Sequence, residues 1–343
     1  MKKLINNPNN VVDEMIQGYL KAHSDVVKGV EENHRTIIRT DAGTKKKVSI
    51  IIGGGSGHEP AFMGYVGEGM ADGVAVGNIF ASPPPDPILE AIKAVDTKKE
   101  ALLIYGNYQG DLMNFDMAAD LAEMESDIKV KQIIVKDDVA SASHSEADKR
   151  RGIAGEFFVT KVAGAASETG APLDEVYRLT EKANQNVRSM GVGLSPCSLP
   201  QTGEPSFLLE EDEMEIGLGH HGEPGVEKGK LQSSNEVTER IVNDILQDMP
   251  ISKEEEVAVL VNGLGSTTRM ELYIMYQKVE SLLKEKGIHI HKSFVGDYST
   301  SLEMGGLSIS ILKLDNELKR LIDAEANCPM YVQKKKEKEE VKR

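Results

Sequence analysis

Residues 217–225 read Gly-Leu-Gly-His-His-Gly-Glu-Pro-Gly, and His221 in this run is the group best suited to chemistry. A neutral imidazole is a nucleophile that adds directly to an unhindered carbonyl carbon. Four glycines and a proline place little side-chain bulk around it. Such a loop can be held rigid and still leave room for a small molecule. His220 is adjacent in sequence, so the two rings point different ways. No Cys, His or Asp stands at metal-ligand spacing beside them, and no metal is expected here. A lone histidine is ordinarily structural; the glycine-rich setting argues otherwise for His221.

Three more polar groups follow apolar runs. His58 lies in Gly-Gly-Gly-Ser-Gly-His-Glu-Pro at 53–60, Ser82 in Ala-Ser-Pro-Pro-Pro-Asp-Pro at 81–87, and Asp111 after Asn-Tyr-Gln-Gly at 107–110. The first run has neither a terminal Gly-Lys-Ser/Thr nor Gly-x-Gly-x-x-Gly spacing, so it is not a nucleotide phosphate loop. It reads as a tight turn whose free amides either bind an anion or simply reverse the chain. His58 and Glu59 favour the functional reading, because a turn does not need them. Asp111 is either the N-cap of the helix that follows or a general base beside a substrate hydroxyl. Ser82 sits in a proline-stiffened loop that suits a pocket wall. Residues 262–268, Asn-Gly-Leu-Gly-Ser-Thr-Thr, are open as an anion nest or a dimer contact. His23, His34, His144, His289 and His291 have no such setting and are read as structural.

The elements that must position these groups alternate. Apolar strand-like runs at 48–52, 74–80, 101–105 and 132–135 are separated by helical patterns at 11–27, 87–95 and 114–124. Continuous apolar strands alternating with helices predict a parallel sheet covered on both faces, with ligands at the carboxyl ends of its strands. His58, Ser82 and Asp111 all fall at such ends. Residues 152–193 read mainly helical. Strands are expected at 214–218, 257–261 and 289–295, helices at 235–246 and 271–286, and 307–314 is a further apolar stretch. The expected fold is α/β, with two domains, each a largely parallel or mixed sheet flanked by helices. They are placed at 1–190 and 191–332, followed by a charged tail at 333–343 expected to be disordered.

The chain has 343 residues and a formal net charge of −15. That field repels phosphate backbones and anionic lipid, so nucleic acid and membrane surfaces are not expected partners. Two cysteines, Cys197 and Cys328, make no disulfide framework and fit a reducing compartment. The first residues carry a lysine pair but no apolar core of a signal peptide, and no apolar run approaches membrane-spanning length. A cytoplasmic protein is expected.

At these residues the chain resembles the dihydroxyacetone kinase family, and within it the substrate-binding K subunit of the phosphotransferase-system type. The resemblance runs from Lys3 to about Val332. It is carried by residues 53–60 and 107–111, by Glu-Met-Glu-Ile-Gly-Leu-Gly at 213–219, by His-Gly-Glu-Pro-Gly at 221–225 and by Ser-Leu-Glu-Met-Gly-Gly at 301–306. It implies that His221, not His220, adds to a ketose carbonyl to give a covalent hemiaminal. It further implies that His58 hydrogen-bonds the substrate and assists, and that Asp111 is the base for the hydroxyl that is phosphorylated. Gly55, Ser56 and Gly57 correspond to the family's glycine-serine turn and Ser82 to its pocket serine. No nucleotide-binding segment follows Val332 in this sequence. The resemblance therefore implies a separate L subunit carrying ADP/ATP with Mg, recharged by a phosphohistidine carrier that draws on phosphoenolpyruvate. This chain would hold no nucleotide or metal, and it is expected to form a homodimer of mixed α/β architecture. The sequence departs from the family pattern at Gly106, where a Lys is frequent, at 137–144, and at His220, where the usual residue is apolar. Two alternatives follow: a kinase subunit for a larger short ketose such as erythrulose, or a non-catalytic ketose-sensing coactivator of a transcription regulator.

Overall fold

The computed structural model describes residues 2–31 and 33–334. From residue 335 onward the charged tail lies outside the described residues.

Two six-stranded sheets organise the chain. The first contains β1 (Val27–Val30), β2 (Asn33–Arg39), β3 (Ser49–Ser56), β4 (Gly73–Ile79), β5 (Glu100–Gly106) and β6 (Lys129–Val135), in the order β1-β2-β4-β3-β5-β6. The four strands legible as apolar runs, β3 to β6, pair in parallel, as continuous hydrophobic runs demand. β1 and β2 join antiparallel at one edge. Helices α1 (Val11–Ala22), α2 (Pro85–Val95) and α3 (Gln109–Ser126) precede or connect these strands. The helical pattern read to residue 27 stops at Ala22, because Val27 is buried as the start of β1. α3 begins five residues before the expected 114, at Gln109.

Next come α4 (Glu156–Glu168) and α5 (Leu173–Gln185). The second sheet contains β7 (Val187–Ser195), β8 (Glu213–Ile216), β9 (Glu227–Lys230), β10 (Glu256–Gly263), β11 (His289–Gly296) and β12 (Gly305–Leu314), in the order β11-β10-β12-β7-β8-β9. Only β10 and β11 pair in parallel; the other pairs are antiparallel. The expected α/β class with parallel or mixed sheets is therefore observed. β7 corrects the helical reading of 187–193: its Ser189, Met190, Gly191, Val192 and Gly193 are paired with β12. Helices α6 (Ser234–Asp248) and α7 (Arg269–Glu285) each start with a complete capping box, Ser233 with Glu236 and Thr268 with Glu271. A last helix, α8 (Asn316–Ile322), follows β12.

The core between the sheets is continuous. Ile50 and Ile52 of β3, Phe157, Phe158 and Val162 of α4, and Ala258, Leu260 and Leu312 of the second sheet belong to one buried cluster. Every residue from Glu156 to Ser167 of α4 is buried. α4 is enclosed on all sides between the two sheets, Phe157 and Phe158 packing on Phe294 of β11, and its buried Lys161 donates to Leu321 O. Among the described residues no helix is long and apolar enough to cross a membrane.

Candidate active site

The carboxyl ends of β3, β4 and β5 and two loops of the second sheet enclose a cavity of about 350 Å3. From the first sheet come His58, Phe80 with Ser82, and Tyr108 with Asp111; from the second come His220, His221 and Ser299. Gly53, Gly54, Gly55, Gly106, Gly110 and Gly152 complete much of the wall. These glycines permit close packing of the wall itself: a Cβ on Gly53 would strike Ala75 O, and one on Gly54 the Phe62 ring. The glycines around His221 do the same for their loop. A Cβ on Gly219 would strike Arg151 and the Glu223 carboxylate, and one on Gly225 would strike the backbone of Ile216 and Gly217. They let the loop fold tightly upon itself, which fixes the imidazole rather than exposing it.

His221 is held through both ring nitrogens. Its Nδ1 is 2.9 Å from Glu223 Oε1, and its backbone N–H donates to Glu223 Oε2 at 2.9 Å. Its Nε2 lies 3.1 Å from His58 Nε2. His58 Nδ1 is 2.8 Å from the Thr300 carbonyl oxygen, which can only accept. Both Nδ1 atoms therefore carry protons, and the Nε2–Nε2 contact is a hydrogen bond only when one further proton sits between the rings. Burial, then His221 and His220, push the His58 pKa well below that of an ordinary imidazole. Burial and His221 likewise lower His220, to about 4. Burial works against charge on Glu223, but the His221 hydrogen bond and charge, with backbone N–H donors, outweigh it and bring its pKa down to about 2. Glu223 is thus an ionised acceptor that orients His221, as a carboxylate orients a histidine in many sites.

Aromatic rings surround the pair. Phe80 stacks on His58 at 5.2 Å, and Phe80 and Tyr108 stand edge-on to His221 at 5.1 and 4.9 Å. Phe80 adopts a left-handed φ of 55°, a conformation that costs a non-glycine residue on the order of 1–3 kcal/mol. Gly106, where the family pattern often has Lys, leaves its space to Tyr108: a Cβ there would press on that ring.

Asp111 is the third residue of α3, and Tyr108 occupies the cap position. Asp111 is therefore not the helix cap. It is 8 % exposed, lines the cavity, and its Oδ1 has no hydrogen-bond partner. Burial raises its pKa to about 6, against the opposing pull of the Ser82 hydroxyl and His221. Ser82 lines the cavity, with its Oγ 3.3 Å from Pro83 O. Of the turn residues Gly55, Ser56 and Gly57, only Gly55 does so. Ser56 donates to Gly77 O at 2.7 Å, and the Gly57 N–H donates to the Glu59 carboxylate, at 3.0 Å to Oε2, so that amide is not free for an anion.

Several contributors were not read from sequence. Asn262 at the end of β10 accepts from the backbone N–H groups of Tyr298 and Ser299, both at 2.8 Å, and donates to Ser299 O at 2.7 Å. It pins the loop that presents Thr300 O to His58 and Ser299 O to His220, the latter at 3.3 Å. The anion-nest reading of 262–268 fails, because the N–H groups of Leu264, Ser266 and Thr268 are used by Gly306 O, Met304 O and Glu271. In the divergent segment, Asp137 accepts from the N–H groups of Ile153 and Gly155, and Asp138 holds Arg151. Arg151 in turn donates to Gly217 O at 3.1 Å, tying that segment to the His221 loop. Glu156, at the start of α4, is a second carboxyl on the cavity wall.

Residues 17–330 match the family model described as the Dak1 domain. The chain is 45% identical over 331 residues to the PTS-dependent dihydroxyacetone kinase 2, dihydroxyacetone-binding subunit DhaK, of Listeria innocua, covering 96% of this chain and 99% of that protein. Its fold is similar to the dihydroxyacetone kinase of C. freundii, with a TM-score of 0.89 and 32% identity over 97% of this chain and 60% of that one. It is also similar to the dihydroxyacetone kinase operon co-activator Dha-DhaQ, with a TM-score of 0.87 and 31% identity over 94% of this chain and 98% of that one. The chain therefore belongs to the Dak1 family, to which its site motifs pointed.

Proposed function

We propose that this chain is the dihydroxyacetone-binding subunit of a phosphoenolpyruvate-dependent dihydroxyacetone kinase, holding the ketose as a hemiaminal on His221. The observation that carries this is the His221–His58 pair at 3.1 Å, in one cavity with the buried Asp111, whose Oδ1 has no hydrogen-bond partner. His221 Nε2 attacks the carbonyl carbon as the C=O π pair moves to oxygen. The oxygen takes up one proton from solvent, relayed through His58, leaving a neutral hydroxyl. The alkylated ring keeps its Nδ1 proton and is positive beside ionised Glu223, so atoms and charge balance with one proton consumed. A carbonyl is required, so glycerol is rejected. The bond also fixes a small substrate in one orientation, which removes part of the entropic barrier.

Asp111 then takes the proton of the terminal hydroxyl as it attacks phosphorus. Its raised pKa suits a base that works near neutrality. The phosphoryl group is proposed to come from ATP and Mg on a separate L subunit, renewed by a phosphohistidine carrier, with this chain acting as a cytoplasmic homodimer and itself binding no nucleotide or metal. A ketone labelled with 13C at the carbonyl tests the anchor: its resonance moves to the tetrahedral-carbon region on binding. The His221→Ala variant is expected to lose that signal, and an undiminished signal would remove His221 from the reading. The co-activator likeness supports a second reading, ketose sensing without transfer. A coupled assay with the L subunit and its phosphodonor, run across dihydroxyacetone, glyceraldehyde and erythrulose, separates the two.

A further inference from the structure

The proposed reaction uses one carboxyl of the cavity and leaves the other without a task. Glu156 is 5 % exposed, lines the same cavity as His221 and Asp111, and its Oε1 has no hydrogen-bond partner. It starts a helix that is otherwise core, where an apolar residue would pack without penalty. A buried carboxyl oxygen left without a partner destabilises a fold even when the group is neutral. The groups nearest in charge are Asp137 and Asp111, both acidic. No cation stands against it among the hydrogen bonds and ion pairs of the described residues.

We propose that Glu156 is a specificity-determining residue that binds a second hydroxyl of the ketose, distinct from the hydroxyl that Asp111 deprotonates. Burial, followed by the fields of Asp137 and Asp111, raises its pKa well above the usual carboxylate range, so it carries a proton to donate. Asp111 differs in having the Ser82 hydroxyl and His221 to favour its charged form, whereas the groups acting on Glu156 are acidic. Two carboxyls in one pocket are thereby divided into an acceptor for the reacting hydroxyl and a donor for the other. The cavity, at about 350 Å3, leaves room for both contacts. The site would then select ketones with hydroxyls on both sides of the carbonyl and discriminate against those with one.

This inference rests on the ketose-binding reading above, and the test keeps the two separate. Calorimetric affinities for dihydroxyacetone and hydroxyacetone are measured on the full chain, and 13C spectra report the adduct independently. The wild type is expected to prefer dihydroxyacetone about tenfold, the worth of one buried hydrogen bond. Glu156→Gln, which keeps a donor of the same shape, should retain most of that preference. Glu156→Leu should bring the ratio near one while hydroxyacetone affinity holds, and thermal melting should show it at least as stable as the wild type. Glu156→Ala serves the same purpose if the leucine variant does not fold. A wild-type ratio near one, or an unchanged ratio in Glu156→Leu, would overturn the assignment. Absence of the tetrahedral carbon signal with both ketones would instead sink the His221 anchor, while the affinity ratios still decide Glu156.

Discussion

Replacing Asp111 by Asn separates its chemical role from its energetic one. The carboxyl has an ordinary pKa of 3.8 and stands at about 6 in the folded chain, chiefly because it is buried. Folding therefore disfavours its charged form. At 1.36 kcal/mol per pH unit, the difference costs the wild type about 3 kcal/mol wherever Asp111 is ionised in both states. For an acid whose folded pKa is raised, this penalty is absent below about 3.8 and complete above about 6. The amide of the Asp111→Asn variant does not titrate. The stability of the variant relative to wild type should thus rise by about 2–3 kcal/mol between roughly pH 4 and pH 8. The comparison across pH cancels the amide's own fixed penalty, Asp137 and Asp138 titrate in both proteins, and the loss of Asp111's field on Glu156 changes the gap in the same direction. Urea unfolding at the two pH values measures it. The same variant should bind dihydroxyacetone and fail to turn it over in the coupled assay. A stability gap that does not change with pH would show Asp111 to be an ordinary solvated carboxylate. The base assignment would lose its physical ground with it.

The acid limb of wild-type turnover should fall near pH 6, where Asp111 takes up its proton; a limb near pH 4 in a pH–rate profile would contradict this. Glu223→Gln keeps the shape of the His221 support but removes its charge, and should weaken the ketose adduct about tenfold in 13C titrations, since water reaching the partly exposed carboxylate screens the pair. Asn262→Ala should destabilise the fold by about 3 kcal/mol in urea unfolding, since it leaves buried backbone groups of residues 298–299 unpaired.

Sequence made the parallel half of the first sheet and the strand ends bearing His58, Ser82 and Asp111 legible, because buried parallel strands read as unbroken apolar runs. It misplaced what depends on pairing at a distance. β7 looks helical in isolation, and only its ladder with β12 makes it a strand. The glycines of the His221 loop announced an unusual site but not their purpose, since the atoms they admit come from Arg151 and Glu223 in three dimensions. Asp111 could not be told from a helix cap until the helix start was fixed at Gln109. Glu156 left no signal beyond one acidic residue heading an apolar helix. Asn262 stood inside a motif that sequence left open between an anion nest and a dimer contact. Each of these roles is set by which atoms remain unsatisfied after folding, a property that chain order does not carry.

The enclosure of α4 governs how a substrate can arrive. Phe157, Phe158, Val159 and Val162 are fully buried there, each contributing roughly 1.5–3 kcal/mol to holding the two sheets against a common helix. Swinging the halves apart like jaws would wet all of these side chains at once, at an expense comparable to unfolding a small domain. The vessel is therefore of one piece, and traffic must pass its mouth. On the proposed reading, a donor subunit docked over the cavity would act as the stopper as well as the reagent.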